Sequence, residues 1–141
     1  MLRKIALCFL SLLQLSSGTV KDCSSTSHTG HISVLTINPP APASGQWITV
    51  HIEYTLDKTV TSGKATYTAS FNGFPLNPTT NDLCTDMEPT TTPCPITSGL
   101  VVFEGISQIG DGSIHGTLVA STTWTDQDGS EILCWGFTVR I

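Results

Sequence analysis

The last eleven residues of the chain, 131–141, read EILCWGFTVRI. Their apolar side chains recur at every second position: Leu133, Trp135, Phe137, Val139 and Ile141. A period of two places these side chains on one face of a β-strand. Cys134 lies among them and points to the opposite face. The stretch predicts a half-buried strand whose outer face offers a cysteine for a disulfide.

The same period recurs through most of the chain from residue 31. In WITVHIEYTL, residues 47–56, apolar side chains at even positions alternate with polar ones, as in a half-buried antiparallel strand. In KATYTASF the inward side chains would be Ala65, Tyr67, Ala69 and Phe71. HISVLTI and SIHGTLVASTTWT predict further strands, and SGLVVFEGISQI predicts a strand interrupted near Gly105.

Between these strands lie stretches typical of turns and loops. Residues 71–95 contain five prolines and few apolar side chains, which predicts a long surface loop that Cys84 and Cys94 could pin. DQDG, residues 126–129, suits a hairpin turn, and no segment shows helical periodicity. About six strands separated by such turns favour an all-β, antiparallel β-sandwich, with an up-and-down barrel as the structural alternative.

The N-terminus has the features of a secretory signal peptide. Arg3 and Lys4 precede the apolar run IALCFLSLLQL and the small residues SSG, so we expect cleavage near Gly18. This assigns residues 1–18 to the leader and 19–141 to a single mature domain. The apolar run is shorter than the ~20 residues of a spanning helix, and a single-pass anchor is the alternative.

The mature domain is acidic. Four basic side chains remain against eleven acidic ones, which gives a net charge of −7. Such a surface repels phosphate backbones, so we expect no nucleic-acid partner. Attraction to strongly anionic membranes is disfavoured as a main binding force.

Four cysteines remain once Cys8 leaves with the leader. In a secreted domain of this size they predict two disulfides, for which three connectivities are possible. No C-x-x-C occurs, so neither a zinc ribbon nor a thioredoxin-like site is supported.

No catalytic or metal-binding motif is apparent. GISQIG, residues 105–110, has the wrong spacing for a nucleophile elbow. The four histidines lack zinc-site spacing, and His51 and His115 are interpreted as solvated surface residues. We expect no enzyme activity, no metal and no cofactor.

The inward ladders mix small and large side chains. Ala65, Ala69, Gly116 and Ala120 alternate with aromatic residues such as Tyr67 and Trp124. Interdigitation of these residues in a solid core is the simpler interpretation. An apolar hollow between two sheets is the alternative.

Several stretches resemble the ML lipid-recognition family: KDCSS at 21–25, NGFPL at 72–76, CPI at 94–96 and LCWGFTVRI at 133–141. The resemblance covers the whole mature chain in order. It implies an immunoglobulin-like sandwich of two sheets with an apolar cavity between them, and lipid carriage without catalysis. It also implies the disulfides Cys23–Cys134 and Cys84–Cys94.

The resemblance directs attention to the inward apolar residues as lipid-binding candidates. Those expected to line the cavity are Val50, Ile52, Tyr54, Tyr67, Phe71, Leu118, Trp124, Trp135, Phe137 and Val139. Those expected at the entrance are Phe74, Ile106 and Ile109.

The function expected from these features is lipid binding or transfer by a monomer that is secreted or lies in the endosome or lysosome lumen. The ligand would be a sterol, phosphatidylglycerol, phosphatidylinositol or a fatty acid, exchanged through transient contact with a membrane or a membrane-protein acceptor. An extracellular interaction module of the immune co-receptor or adhesion type, with a solid core, is the main alternative. A small hydrolase is a third.

Overall fold

The computed structural model describes residues 18–141. The predicted signal peptide therefore lies outside the described residues except for Gly18. In the described part of the chain, β-strands dominate and a single short helix, α1, covers Leu83–Met87. The strands are β1 Thr19–Asp22, β2 Gly30–Asn38, β3 Trp47–Leu56, β4 Gly63–Phe71, β5 Phe74–Pro75, β6 Thr79–Asp82, β7 Gly99–Gln108, β8 Thr117–Asp126 and β9 Glu131–Arg140.

The strands form two antiparallel sheets. The larger has the order β1-β9-β8-β4, with β5 and β6 both pairing with the free edge of β4. The smaller has the order β2-β3-β7. Two separate sheets packed face to face make an immunoglobulin-like β-sandwich, as predicted, rather than an up-and-down barrel.

The alternating pattern of β3 explains how the smaller sheet packs. Ile48, Val50, Ile52, Tyr54 and Leu56 are all buried, whereas the residues between them face outward. Each fully buried side chain of this kind contributes ~1.5–3 kcal/mol of transfer free energy. The period of two therefore decides which face of the strand meets the larger sheet.

One end of the sandwich is a solid core. Trp124 packs edge-on against Tyr54 and Phe103, with ring centroids 6.2 Å and 5.2 Å apart. Such tilted aromatic pairs are the favoured arrangement of two rings. Leu133 and Ala65, which flank Trp124 in the register of the larger sheet, are fully buried. At this end the side chains of the two sheets pack directly against each other.

Two disulfides tie the fold together. Cys23, just after β1, is bonded to Cys134 in β9, with their Cα atoms 4.8 Å apart. Cys84 in α1 is bonded to Cys94, with their Cα atoms 5.4 Å apart. The first bond links residues 111 positions apart, and the second closes a short loop.

The predicted surface loop at residues 71–95 contains regular structure that the sequence did not indicate. It holds β5, β6 and α1, whose N-cap is Asp82; the Asp82 carboxylate accepts a hydrogen bond of 2.9 Å from the Thr85 amide. The prediction of no helix was wrong here because five residues are too few to show a period of 3.6.

Strand β7 is continuous, which corrects the predicted interruption near Gly105. Gly105 pairs with Val50 in the middle of the ladder between β7 and β3. Within residues 18–141 no helix reaches the length and apolarity that crossing a bilayer requires.

Candidate functional site

A cavity of about 590 Å³ lies between the two sheets, next to the solid core. Its walls come from the inner faces of β4, β8 and β9 on one side and of β3 and β7 on the other. Residues between 76 and 90 form its mouth. This volume lies within the range of sites that hold small organic ligands.

Two cross-strand rows of the larger sheet form the first wall. One row is Tyr67, Thr122 and Trp135, and the next is Ala69, Ala120 and Phe137. The two alanines stand directly opposite each other on β4 and β8. Because neither fills the space above it, the sheets are separated here by a hollow rather than by interdigitated side chains.

The second wall comes from the smaller sheet. Val50, Phe103, Gly105 and Ser107 line it, and the last three follow one another at every second position of β7. Phe103 lies against Trp124 at the boundary with the solid core. Gly105 contributes only backbone to the wall, and the ring of Phe103 lies over it.

The mouth is built on the short disulfide loop. Asp86, Met87, Pro89 and Thr90 lie between the bonded residues Cys84 and Cys94. The cavity meets solvent at four further lining residues, which are exposed: Leu76, Asn77, Thr79 and Ile106. The disulfide therefore holds one side of the mouth, while residues 76–79 and β7 form the others.

One polar cluster faces this mouth. The Tyr67 hydroxyl donates to Asp86 Oδ2 at 2.5 Å, and the Asn81 amide donates to both carboxylate oxygens at 3.2 and 3.3 Å. Burial raises the pKa of Tyr67, and the hydrogen bond to Asp86 raises it further. Tyr67 therefore keeps its proton and fixes the carboxylate in place.

Six of the lipid-binding candidates predicted from the sequence lie in the cavity lining. They are Val50, Tyr67, Ile106, Trp124, Trp135 and Phe137. Trp135 and Phe137 stack on the same face of β9, with ring centroids 6.1 Å apart. Ile106 is an exposed lining residue at the mouth.

The other seven candidates lie outside the lining. Ile52 and Tyr54 belong to the solid core and have no exposed surface. Phe71, Leu118 and Val139 form the cross-strand row beyond the cavity, at the opposite end from the core. Ile109 is buried after the end of β7, and Phe74 is 75% exposed on β5.

Several of the lining residues that the sequence did not single out lie on β7 or within the loop between Cys84 and Cys94. Phe103, Gly105, Met87 and Asp86 are the clearest examples. Phe103 and Gly105 share the period of two with Val101, which is a usable signal once β7 is taken as continuous. Nothing in the local sequence indicates that α1 turns Asp86 and Met87 toward the cavity.

The cavity decides between the two interpretations of the inward ladders. The solid core is real, but it is confined to the Trp124 end of the sandwich. The hollow occupies the rows around Ala69 and Ala120. In the described part of the chain no group of three or more His, Cys, Asp or Glu side chains is arranged to hold a metal ion.

Comparison with protein families gives a match over the whole of the described chain. The family model described as the ML domain matches residues 17–141. A Dictyostelium discoideum protein assigned as a phosphatidylglycerol/phosphatidylinositol transfer protein is 27% identical over 113 residues, which cover 80% of this chain and 79% of that protein.

Two solved structures share the fold. The Niemann-Pick type C2 protein from the Japanese carpenter ant superposes with a TM-score of 0.68 at 16% identity, covering 87% of this chain and 98% of that one. Chicken MD-1, solved in complex with lipid IVa, gives a TM-score of 0.62 at 16% identity, covering 87% of this chain and 88% of that one. At these identities the likeness concerns the fold.

Proposed function

The chain belongs to the ML domain family, and from this premise we propose that it binds and transfers a lipid held between its two sheets. The observation that carries the proposal is the cavity of about 590 Å³ with largely apolar walls. In a sandwich whose interior serves stability alone, the two sheets would pack tightly along their whole length, as they do around Trp124. The curated relative named for lipid transfer supports the same activity.

Hydrophobic burial alone gives such a cavity useful affinity. Burial of about fifteen ligand methylenes at ~0.8 kcal/mol each contributes on the order of 12 kcal/mol before the costs of association. Val50, Phe103, Trp135 and Phe137 supply the apolar surface against which the hydrocarbon packs. Binding therefore needs few polar contacts.

Exchange of the ligand takes place through the mouth. Phe74, Leu76 and Ile106 are exposed apolar side chains on or beside its rim, with 75%, 51% and 75% of their surface accessible. Exposed apolar groups beside a lipid-sized opening suit transient contact with a membrane surface or an acceptor protein. We assign Phe74 to this contact rather than to the cavity wall.

Carriage requires no chemical step. The lining contains no His or Cys, and its serines, Ser107 and Ser121, have no histidine beside them in the lining. A serine hydrolase needs a base within hydrogen-bond reach of the nucleophile. We therefore propose lipid binding without catalysis and without a metal or cofactor.

The covalent structure supports a compartment outside the cytosol. Two disulfides are typical of proteins that work in an oxidising environment outside the cytosol. Together with the predicted leader at residues 1–18, they support a protein that is secreted or resides in the endosome or lysosome lumen.

The test is lipid analysis of the purified protein, with a matched pair of variants. Protein secreted from eukaryotic cells should release about one lipid per chain on extraction, and native mass spectrometry should show the complex. Ala120→Phe fills the cavity and should reduce lipid content about tenfold. Val119→Phe, which adds a ring on the outer face of the same strand, should leave it unchanged.

Circular dichroism establishes that both variants are folded. If wild-type protein yields no lipid, and takes up neither a fluorescent sterol nor a fluorescent acyl probe, the proposed function is wrong. Equal lipid loss in both variants would show that the hydrocarbon does not occupy the space beside Ala120.

A further inference from the structure

The charge of the cavity lining is unusual for a protein whose relative is named for carrying anionic phospholipids. The lining contains one acidic side chain, Asp86, and no Lys, Arg or His. Proteins that bind phosphate groups usually present arginine, lysine or a set of backbone N–H donors. None of these side chains faces the cavity in the described residues.

The cations of the described chain all lie elsewhere. Lys58 is paired with Asp126 and Asp128 at the turn between β8 and β9. Lys64 is exposed and alternates with the inward residues of β4, so it faces away from the cavity. Lys21 and Arg140 are exposed on β1 and β9. None of these four side chains lines the mouth.

The single acidic group is held rigidly at the mouth. Asp86 accepts hydrogen bonds from Tyr67 and from Asn81, so both neighbouring elements, β4 and β6, fix its position. A carboxylate offers about four lone-pair positions, and these contacts leave capacity for a further donor. The Tyr67 oxygen can also accept a hydrogen bond.

Anionic lipid heads and uncharged hydroxyl heads would interact differently with Asp86. A phosphate or carboxylate head would bring a second negative charge close to Asp86. The two charges would repel each other strongly, because the neighbouring apolar walls screen charges less than water does. A hydroxyl head would donate a hydrogen bond to Asp86 and accept one from the Asn77 amide, which lines the same mouth. The indole Nε1–H of Trp135, which is buried without a hydrogen-bond partner in the described residues, is a further donor in the wall.

We propose that the cavity selects lipids whose polar end is an uncharged hydroxyl group, and that Asp86 excludes lipids with an anionic head. A sterol and a diacylglycerol share this chemistry. The inference rests on the proposed function and narrows it. It separates this chain from the relative named for phosphatidylglycerol and phosphatidylinositol transfer.

The experiment is a competition among four lipids. Delipidated protein is incubated with vesicles containing equal amounts of cholesterol, dioleoylglycerol, phosphatidylglycerol and phosphatidylinositol, and the captured lipids are quantified by mass spectrometry. Wild-type protein should capture the two hydroxyl lipids together at least about tenfold over the two anionic ones. The ratio of the first two identifies which hydroxyl lipid fits.

Three variants test the role of the Asp86 charge. Asp86→Asn keeps the side-chain shape and a hydrogen-bonding oxygen, and should raise the anionic share about tenfold. Glu88→Gln changes the net charge equally, two residues away on an exposed side chain outside the lining, and should leave the ratio unchanged. Leu76→Lys, which adds a cation at the mouth without touching Asp86, should also raise the anionic share.

The outcomes separate this inference from the proposed function. Capture of none of the four lipids would overturn the proposed function. Capture of phosphatidylglycerol or phosphatidylinositol as readily as the hydroxyl lipids would overturn only the inference. An equal shift in Asp86→Asn and Glu88→Gln would show that overall charge, rather than Asp86, governs selection, and would also overturn it.

Discussion

The ring of Phe103 lies against the backbone of Gly105, two residues further along β7. A β-carbon built on Gly105 would come 2.8 Å from Phe103 Cζ, which is closer than packed atoms allow. Because Gly105 lacks this carbon, the ring can lie over the strand. The position of the ring therefore sets how far the smaller sheet protrudes into the cavity.

We predict that Gly105→Val lowers lipid capture. The added side chain displaces the Phe103 ring and occupies part of the wall, so we expect about a tenfold loss, as for other small volume changes in apolar pockets. Lipid content per folded chain is the measurement. Gly105→Val combined with Phe103→Ala should recover much of the capture, because the ring that clashes is gone.

The single and the double variant could contradict this prediction in two different ways. Full capture by Gly105→Val would contradict the assignment of this wall to the ligand. Loss of capture in both the single and the double variant, with folding intact, would contradict the clash between residues 103 and 105 as its cause.

The exposed rim gives a prediction about rate rather than occupancy. Replacing Phe74 and Leu76 together by serine removes two apolar side chains that would touch an acceptor membrane. We expect transfer of a fluorescent lipid to neutral vesicles to slow about tenfold, since each side chain contributes on the order of 1 kcal/mol when partly buried. Val119→Ser, on the outer face of the larger sheet, is the control.

Bound lipid should be nearly unchanged in the Phe74 and Leu76 variant. Transfer at the wild-type rate would show that the rim does not meet the membrane. Slowing of the Val119→Ser protein to the same extent would point to a general loss of surface apolarity instead.

Much of the fold could be predicted from the sequence because burial in a sandwich imposes a period of two. Strand β3 shows this period in its burial, whereas residues 132–136 of β9 are all buried, so β9 is not the half-buried strand that its sequence predicts. Both strands lie where the sequence predicts them. The sandwich and its two disulfides then complete the fold. Prediction was poorest for α1, where a five-residue helix depends on the Asp82 cap and the buried side chains of Leu83 and Met87.

The cavity could be predicted only in outline. Which inward residues line it depends on where the sheets separate, and this is set by the rows in which small side chains meet. Ala69 opposite Ala120 opens the hollow, whereas Trp124 opposite Ala65 closes it, although both rows contain an alanine. Local pattern identifies the inner face, but cross-strand register decides which part of that face is accessible.

The two disulfides should contribute unequally to stability. In the chain-entropy model, the Cys23–Cys134 bond lowers the free energy of the folded relative to the unfolded state by about 5 kcal/mol, and the Cys84–Cys94 bond by about 3 kcal/mol. Paired Cys→Ser variants, measured by chemical denaturation, should follow this order. The reverse order would show that native contacts near the short loop outweigh loop entropy.

Removal of the short bond has a second consequence. Asp86, Met87 and Thr90 lie inside the loop that it closes. We expect faster dissociation of bound lipid from the Cys84→Ser, Cys94→Ser protein, measured by exchange with labelled vesicles. The Cys23→Ser, Cys134→Ser protein, where it remains folded, should release lipid at the wild-type rate.

A buried carboxylate depends on one lysine. The side chain of Asp126 is inaccessible, and Lys58 Nζ lies 2.9 Å from its Oδ2. Burial raises the pKa of Asp126, but the hydrogen bond from Lys58 and those from the amides of Asp128 and Ser130 outweigh it, so the pKa is lowered overall. Asp126 therefore stays ionised beneath the turn.

We predict that Lys58→Met lowers the free energy of unfolding by about 2 kcal/mol, since the buried carboxylate loses its counter-charge but keeps its amide donors. Asp128→Asn changes the exposed partner of the same lysine and should cost less than about 0.5 kcal/mol. Urea denaturation at neutral pH measures both. Equal losses of stability in the two variants would show that the ion pair of Lys58 with buried Asp126 contributes no more than its pair with exposed Asp128.

His51 was interpreted from the sequence as a solvated surface residue, and the structure gives it two partners. It lies on the outer face of β3, opposite Glu104 in the register with β7. Its Nε2 is 3.0 Å from Glu53 Oε1, and its Nδ1 is 3.1 Å from Glu104 Oε1. The hydrogen bond to Glu53, followed by the one to Glu104, raises the pKa of His51 above its ordinary value of 6.5.

The sign of the pH effect follows from this shift. Between pH 6.5 and the raised pKa, folded chains hold a proton on His51 that unfolded chains release. This contribution to stability is therefore fully present below pH 6.5 and is lost as the pH rises through the folded pKa. We expect the urea midpoint to fall as the pH rises above 6.5. His51→Gln should remove most of that fall, while His115→Gln, at an exposed position, should retain it. An unchanged pH profile in His51→Gln would mean that the paired carboxylates do not stabilise the protonated ring.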